Sequence, residues 1–429
     1  MRKVSWSIFR LSILAAGIAV AAGALPVSKS RATTNGVSLR LVQMLNESEL
    51  VWTRPLGMQE LVAVSTRDAV QLWDTRTHTL SASLPKHNKL FHAFFSSDGS
   101  TFVTASKEKP DGIITRLWDP HTGSLKVTLS GLVVLGPVRQ SGITLVVTLA
   151  DHNELKFWDA DTGKLQKTVT AYKRSFSDSI ISPDGRLVAR YGGKKGFLWE
   201  LATGRLIGEL KPPQERNYIV PWYHDIKVWG ATFSPDSKIV ATEDSLNTIQ
   251  LWDTDTGRMR TLLEGHGSTV YELAFSRDGK LLASASRDGT ARIWDVEAGR
   301  LLTTLAAGEE IARRVQFDPA GTILAVGYHT QAKLWDVSSG KVIANLTRHS
   351  DVNRLVLFGT YWDAISIAMS PDGRLLLTIG DKSIKVWNAI TGDLVTTLEG
   401  IHAPVAFSSD SRALAATGRN KTVLLWSIE

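Results

Sequence analysis
The sequence of 429 residues contains no cysteine. That absence excludes disulfides, thiolate zinc sites, iron–sulfur clusters, cysteine nucleophiles and a lipid anchor on cysteine. Other signatures are missing too. The ten histidines form no H-E-x-x-H or H-x-H pair that would suggest a metal site. Neither a G-x-S-x-G elbow nor a G-x-x-x-x-G-K-[ST] phosphate loop occurs. Lys and Arg stand singly among Asp and Glu, without the clustered basic face of a nucleic-acid binder. Apart from residues 11–25, no window approaches the roughly 20 apolar residues of a spanning helix. These absences leave no expected cofactor, no expected metal and no expected catalytic residue.

The excess of positive charge, +7 in all, has a local origin. Arg2, Lys3 and Arg10 precede an apolar run (LSILAAGIAVAAGAL) that contains Ala22-Gly23-Ala24. A basic start, a short apolar stretch and a small-x-small site describe a secretory signal peptide over residues 1–24. Residues 25–36 are small and polar and read as a linker. Without Arg2, Lys3, Arg10, Lys29 and Arg31 the net charge of the remainder falls to +2. The expectation is therefore a secreted or periplasmic protein with no membrane span after cleavage. An uncleaved N-terminal anchor is the alternative.

Tryptophan organises the rest. Trp followed by a short polar or acidic residue recurs at Trp73, Trp118, Trp158, Trp199, Trp252, Trp294, Trp335, Trp387 and Trp426. The intervals are 45, 40, 41, 53, 42, 41, 52 and 39, so a unit of about 41 repeats with two insertions. Each unit has two turn signals. Ser182-Pro183-Asp184-Gly185, Ser276-Arg277-Asp278-Gly279 and Ser370-Pro371-Asp372-Gly373 represent the first, Asp161-Thr162-Gly163 and Asp255-Thr256-Gly257 the second. The intervening β-prone runs, such as Leu281 to Ser286, make four short strands per unit.

These motifs resemble the WD40 repeat family of β-propellers, and the resemblance covers residues 37–429. The best copy runs from Gly265-His266 through Ser276-Arg277-Asp278-Gly279 and Asp288-Gly289 to Trp294-Asp295. The resemblance implies an all-β ring of four-stranded blades, each Trp wedged between neighbours with its ring N–H held by a Ser/Thr–His–Asp network. That network is complete only in the sixth unit, as His266, Ser286 (or Ser284), Asp288 and Trp294. His349 and His402 stand at similar offsets with degraded neighbours. Elsewhere apolar packing is expected to hold the blades. Asp68, Asp288 and Asp381 read as structural turn partners.

The chain stops soon after its last Trp, and the strand-like run Val37 to Leu45 precedes the first unit. Lending that run to the last blade closes the ring and protects the edges. The repeat arithmetic favours nine blades, with eight and one degenerate unit as the alternative. Two insertions, at about 211–225 and 349–363, fall between the outer strand of one blade and the inner strand of the next. They enter three blades apart and, by the family resemblance, overhang the face used for partners. Arg216, Tyr218, Trp222, Tyr223, Trp229, Arg354, Tyr361 and Trp362, in or beside them, are the candidate binding residues, because exposed Trp, Tyr and Arg anchor interfaces. The expected function is a non-enzymatic, monomeric scaffold for a protein or peptide partner. A propeller enzyme acting on envelope saccharide or peptide from the central funnel, and a glycan- or polyanion-binding module, are the alternatives.

Overall fold
A computed structural model describes residues 32–429, apart from 51–60, 171–177, 213–227, 347–365 and scattered stretches of one to four residues. The expected signal peptide and both insertions, Lys211 and Pro212 excepted, lie outside the described residues. So do Asp68, His349 and Asp381. All the regular structure described is β-strand, and no described helix is long and apolar enough to cross a membrane.

The strands form nine antiparallel sheets, eight of four strands and one of five. In every blade the first strand is an edge strand, and from blade 2 to blade 8 the first strands of successive blades lie against one another, which makes that edge the inner one. Blade 6 shows how the repeat builds itself, with strands Val270–Phe275, Leu281–Ser286, Thr290–Asp295 and Arg300–Ala306. Between the first two, Gly279 N–H donates to the Ser276 carbonyl at 2.9 Å. Ser276 Oγ accepts from Leu281 N–H at 3.0 Å and donates to Asp278 Oδ1 at 2.7 Å. Gly279 has φ +73°, which glycine adopts without the Cβ penalty of other residues. After Trp294, Asp295 Oδ1 accepts from the N–H groups of Glu297 and Ala298, and this Asx turn reverses the chain into the outer strand. The acid that follows Trp294 thus belongs to turn geometry, and Asn388 does the same after Trp387.

Nine apolar clusters, one per interface, hold the ring. Each tryptophan wedge packs in the cluster between its own blade and the preceding one. Trp294, 2 % exposed, meets Ile239, Ala241 and Leu251 of blade 5. The ninth interface closes the circle, with Val64 and Trp73 of blade 1 against Ala415, Val423 and Leu425 of blade 9. Nine blades, not eight, is the count.

Closure uses the N-terminal strand. Val37–Leu45 pairs antiparallel with Thr422–Ile428, from Leu39 opposite Ile428 to Leu45 opposite Val423, and is the fourth strand of blade 9. The expected linker needs one correction. Ala32–Thr34 is a fifth strand, paired with Val37 to Leu39 and lying against Leu394–Glu399 of blade 8. The physical reason is the open edge of the closing strand, which offers unpaired backbone groups to a β-branched Thr-Thr segment.

The expectation of purely apolar wedges also changes. Trp118, Trp158, Trp252 and Trp387 donate their ring N–H to Thr104, Thr148, Thr242 and Thr378 at 2.8 to 2.9 Å. In each case the threonine lies two residues beyond the tryptophan's partner on the neighbouring strand. Trp73 instead uses Gln71 Oε1 at 3.1 Å. A hydroxyl at that position suffices, because a buried indole N–H needs one acceptor and no histidine.

Candidate functional site
The connections from outer to inner strand share one end of the ring. In blade 6 that end is marked by His266, on the connection from Met259–Leu263 to Val270–Phe275. His266 Nδ1 bonds Asp288 Oδ2 at 2.8 Å and its Nε2 bonds Ser284 Oγ at 2.7 Å; Ser284 Oγ in turn accepts from Trp294 Nε1 at 2.9 Å. Ser284, not Ser286, is therefore the middle hydroxyl. Alternation puts both serines on the face of the wedge, but Ser284 is two residues from Leu282, the cross-strand partner of Trp294, whereas Ser286 is four away and its Oγ donates to the Ser268 carbonyl. Desolvation pushes the Asp288 carboxyl up. Hydrogen bonds from His266, Thr290 and the Gly267 N–H outweigh it and hold Asp288 well below the usual carboxylate range. The His266 side chain is 1 % exposed, so the group is a structural staple closed to ligands.

Blade 5 performs the same task without histidine. Thr242 Oγ1 donates to Gln250 Oε1 at 2.9 Å, and Gln250 Nε2 donates to Asp244 Oδ2 at 2.8 Å. Asp244 also accepts from Thr248 Oγ1 and from the N–H groups of Leu246 and Thr248.

The connections that carry the insertions run from Arg205–Leu210 to Val228–Phe233 and from Val342–Leu346 to Ser366–Met369. They therefore open on the His266 end, between blades 4 and 5 and between blades 7 and 8. Arg216, Tyr218, Trp222, Tyr223, Arg354, Tyr361 and Trp362 lie outside the described residues. Trp229 is the second residue of the inner strand of blade 5; its side chain is likewise outside the description.

At this same end the register aligns one inner-strand position in every blade. It lies opposite the residue three beyond each tryptophan's cross-strand partner. Glu49, His92, Asp178, Glu272, Arg314 and His402 occupy it in blades 1, 2, 4, 6, 7 and 9. For Glu49, Asp178 and His402 the register alone is described. In blades 2, 5, 6 and 7 a bulge falls just before this position. Such a bulge bends the strand and re-aims a side chain. Six of the nine blades thus have an ionisable residue at this ring position on the insertion-bearing end, and sequence reading did not find it. Spacing counted back from each tryptophan does not expose it, because that spacing runs from 21 to 26 residues and only the strand register aligns the position.

Blades 6 and 7 join through this ring. Glu272 Oε2 accepts from the Val315 N–H at 2.8 Å, and its Oε1 accepts from Arg314 Nη1 at 3.4 Å. The Arg313 guanidinium lies 4.8 Å from the Tyr271 ring centroid across the same seam. Desolvation raises the Glu272 carboxyl above its ordinary value despite these donors. Partial burial lowers the His92 imidazole.

Blade 5 inverts the arrangement. Where blades 2, 6 and 7 place a large residue on the inner strand opposite Ala or Gly, blade 5 has Gly230 opposite Glu243. A Cβ on Gly230 would fall 2.6 Å from Glu243 Oε1, so the Glu243 carboxyl fills the space of the missing inner-strand side chain. Burial, reinforced by the charges of Glu272 and Asp244, pushes the Glu243 carboxyl up to about 8. Its Oε2 is shielded from solvent and has no hydrogen-bond partner among the described residues. Among the described residues no group of three His, Asp or Glu stands close enough to hold a metal ion.

The family model for the WD domain, G-beta repeat, matches residues 257–295 and 340–388. The chain is 28 % identical over 172 residues to Protein LST8 homolog of Drosophila melanogaster, covering 38 % of this chain and 50 % of that one. It is 30 % identical over 195 residues to WD repeat-containing protein 1 of Xenopus tropicalis, covering 44 % and 30 %. Against Nuclear distribution protein nudF of Aspergillus niger it is 26 % identical over 225 residues, covering 47 % and 48 %. The matched stretches span half or less of these relatives' length. Among solved structures, the crystal structure of the computationally designed Ika8 protein superposes with a TM-score of 0.56 at 22 % identity, covering 80 % of this chain and 97 % of that one. That likeness concerns the fold alone. Two of its units match the family model and the same wedge recurs through all nine blades, so the chain is a nine-bladed β-propeller that carries WD40 repeats.

Proposed function
We propose that this propeller is a non-enzymatic scaffold, exported to the periplasm or the cell exterior, that captures a protein or peptide on its insertion-bearing end. The observation that carries the reading is topological. Both insertions interrupt outer-to-inner connections, which open on one end of the ring three blades apart. WD40 propellers in general mediate protein–protein contacts, which agrees with this use of a ring face. The basic, apolar, small-x-small N-terminus supports export. Trp222, Tyr223, Tyr361 and Trp362 supply the large amphipathic anchors that dominate interface energies.

The test replaces those four residues together with alanine. Affinity capture from the periplasmic or secreted fraction is expected to lose the partner, while the melting temperature stays within a degree or so of the parent. Undiminished capture would move the docking surface elsewhere. Finding the intact precursor in the cytosol would remove the export reading.

A further inference from the structure
We propose that the seam between blades 5 and 6 at the insertion-bearing mouth of the channel receives a cationic side chain, arginine or lysine, of the bound peptide, with Glu243 and Glu272 as its carboxylate partners. This deepens the docking reading above and rests on it.

The first observation is Glu243 itself. The residue is 6 % exposed, and its Oε2 is buried without a partner among the described residues. Buried polar groups in native proteins are almost always hydrogen-bonded, so an orphaned carboxyl oxygen calls for an explanation. No described residue of blade 5 supplies one. The neighbouring Asp244 is saturated by Thr248, Gln250 and two backbone N–H groups. Its network ends on Trp252 and so serves the wedge.

The second observation is placement. Because Gly230 contributes no side chain, the Glu243 carboxyl stands at the ring position that Glu272 and Arg314 hold in the next two blades. Glu272 is close enough for its charge to act on Glu243. The Glu272 side chain is 33 % exposed and reaches Arg314 only at a long 3.4 Å, which leaves room at Oε1 for a second donor. Two carboxyls share one seam, one of them with an unused oxygen and the other half open to the channel. A guanidinium presents several N–H donors in a planar fork and can satisfy both at once.

The charge balance gives the arrangement a signature. In the empty protein the Glu243 carboxyl keeps its proton near neutrality. A cation seated between the two carboxyls favours the ionised form, so binding transfers that proton to solvent. One positive charge enters and one proton leaves. Affinity then rises with pH, by up to about tenfold per unit while Glu243 remains protonated in the free protein.

The experiment uses the full-length protein and three capped tripeptides, acetyl-Gly-Arg-Gly-amide, acetyl-Gly-Lys-Gly-amide and the neutral acetyl-Gly-citrulline-Gly-amide. Calorimetric titration at pH 6, 7 and 8, in buffers of different ionisation enthalpy, reads affinity and proton release together. The expected result is binding of a cationic peptide but not of the citrulline peptide, with release approaching one proton at pH 7. Affinity should rise at least fivefold from pH 6 to pH 7. Glu243→Gln should abolish the proton release, and Glu272→Gln should weaken binding tenfold or more. The exposed Glu297→Gln on the outer turn of blade 6 should change neither. Thermal melts of the Glu243→Gln and Glu272→Gln proteins verify folding, and either variant alone carries the test. Binding of the citrulline peptide as tightly as the arginine peptide, unchanged proton release in Glu243→Gln, or no binding of either cation overturns the proposal. The two readings fail separately. Partner capture that persists while both cationic peptides fail leaves the docking end standing and removes only the cation site.

Discussion

The hydroxyl that holds the tryptophan in five of the blades can be removed from one blade and added to another. In blade 5, Thr242 is wholly buried; its Oγ1 accepts from Trp252 Nε1 at 2.8 Å and donates to Gln250 Oε1 at 2.9 Å. Thr242→Val preserves the shape and strands two buried groups, each worth about 1–3 kcal/mol when unsatisfied. The expected loss is about 2–5 kcal/mol. Blade 7 offers the reverse experiment. Val326 occupies the equivalent position, two residues beyond Leu324, the cross-strand partner of Trp335. Trp335 Nε1 is buried there without an acceptor; the Tyr328 hydroxyl stands near it, but neither group makes a hydrogen bond of ordinary geometry. Val326→Thr places an oxygen where five other blades hold one. The hydroxyl is itself desolvated, which offsets part of the gain, and a net stabilisation of about 0.5–1.5 kcal/mol remains. Urea denaturation followed by tryptophan fluorescence measures both, provided the slope of free energy against urea is unchanged. A Thr242→Val protein within 0.5 kcal/mol of the parent, or a Val326→Thr protein destabilised by more than about 1 kcal/mol, would falsify the hydroxyl account.

The seam of blades 5 and 6 should make stability depend on pH. Glu243 holds its proton up to about pH 8 in the folded chain, whereas the unfolded chain loses it near its ordinary value of 4.5. Between those limits the native state binds the extra proton, so stability is greatest at the acid end and falls with a slope of up to about 1.4 kcal/mol per pH unit. Melting temperatures at pH 6, 7 and 8 should decline, and Glu243→Gln should flatten the decline; a parent protein whose melting temperature is level or rising would show that the carboxyl is already ionised. Blade spacing gives a second comparison. Gly257 has φ +66°, and a Cβ there would meet Gly208 Cα at 2.8 Å, while Gly279 has φ +73° with no atom nearer than 3.7 Å. Gly279→Ala should cost about 1–2 kcal/mol for the left-handed backbone alone. Gly257→Ala should lower the melting temperature clearly further, because two backbones must also move apart; equal costs would deny the close approach.

Trp294, Asp295 and the Ser276 turn were legible because their causes are local. A serine hydroxyl caps its own turn, an Asx side chain folds back two or three residues, and strand alternation aims the tryptophan at its neighbour. The repeat of about 41 residues made blade count a matter of arithmetic, and Val37–Leu45 was recognisable as a strand without a unit of its own. Ser284 was harder to separate from Ser286, since choosing between them needs the cross-strand register. The threonines of blades 2, 3, 5 and 8 were not legible as acceptors, because each meets its tryptophan through the register of a neighbouring strand.

By itself, then, the sequence determined the architecture: strands, turns, wedges, the number of blades and the manner of closure all follow from short-range chemistry repeated at a fixed period. Only the tertiary structure decided what gathers around the axis. Glu243 and Gly230 are thirteen positions apart, Glu272 comes from the next repeat, and Arg314 from the one after. No window of sequence contains them together. They meet because every blade delivers one inner-strand residue to the same height on a closed ring, and because one glycine lets a carboxyl from the second strand take the place of a missing side chain.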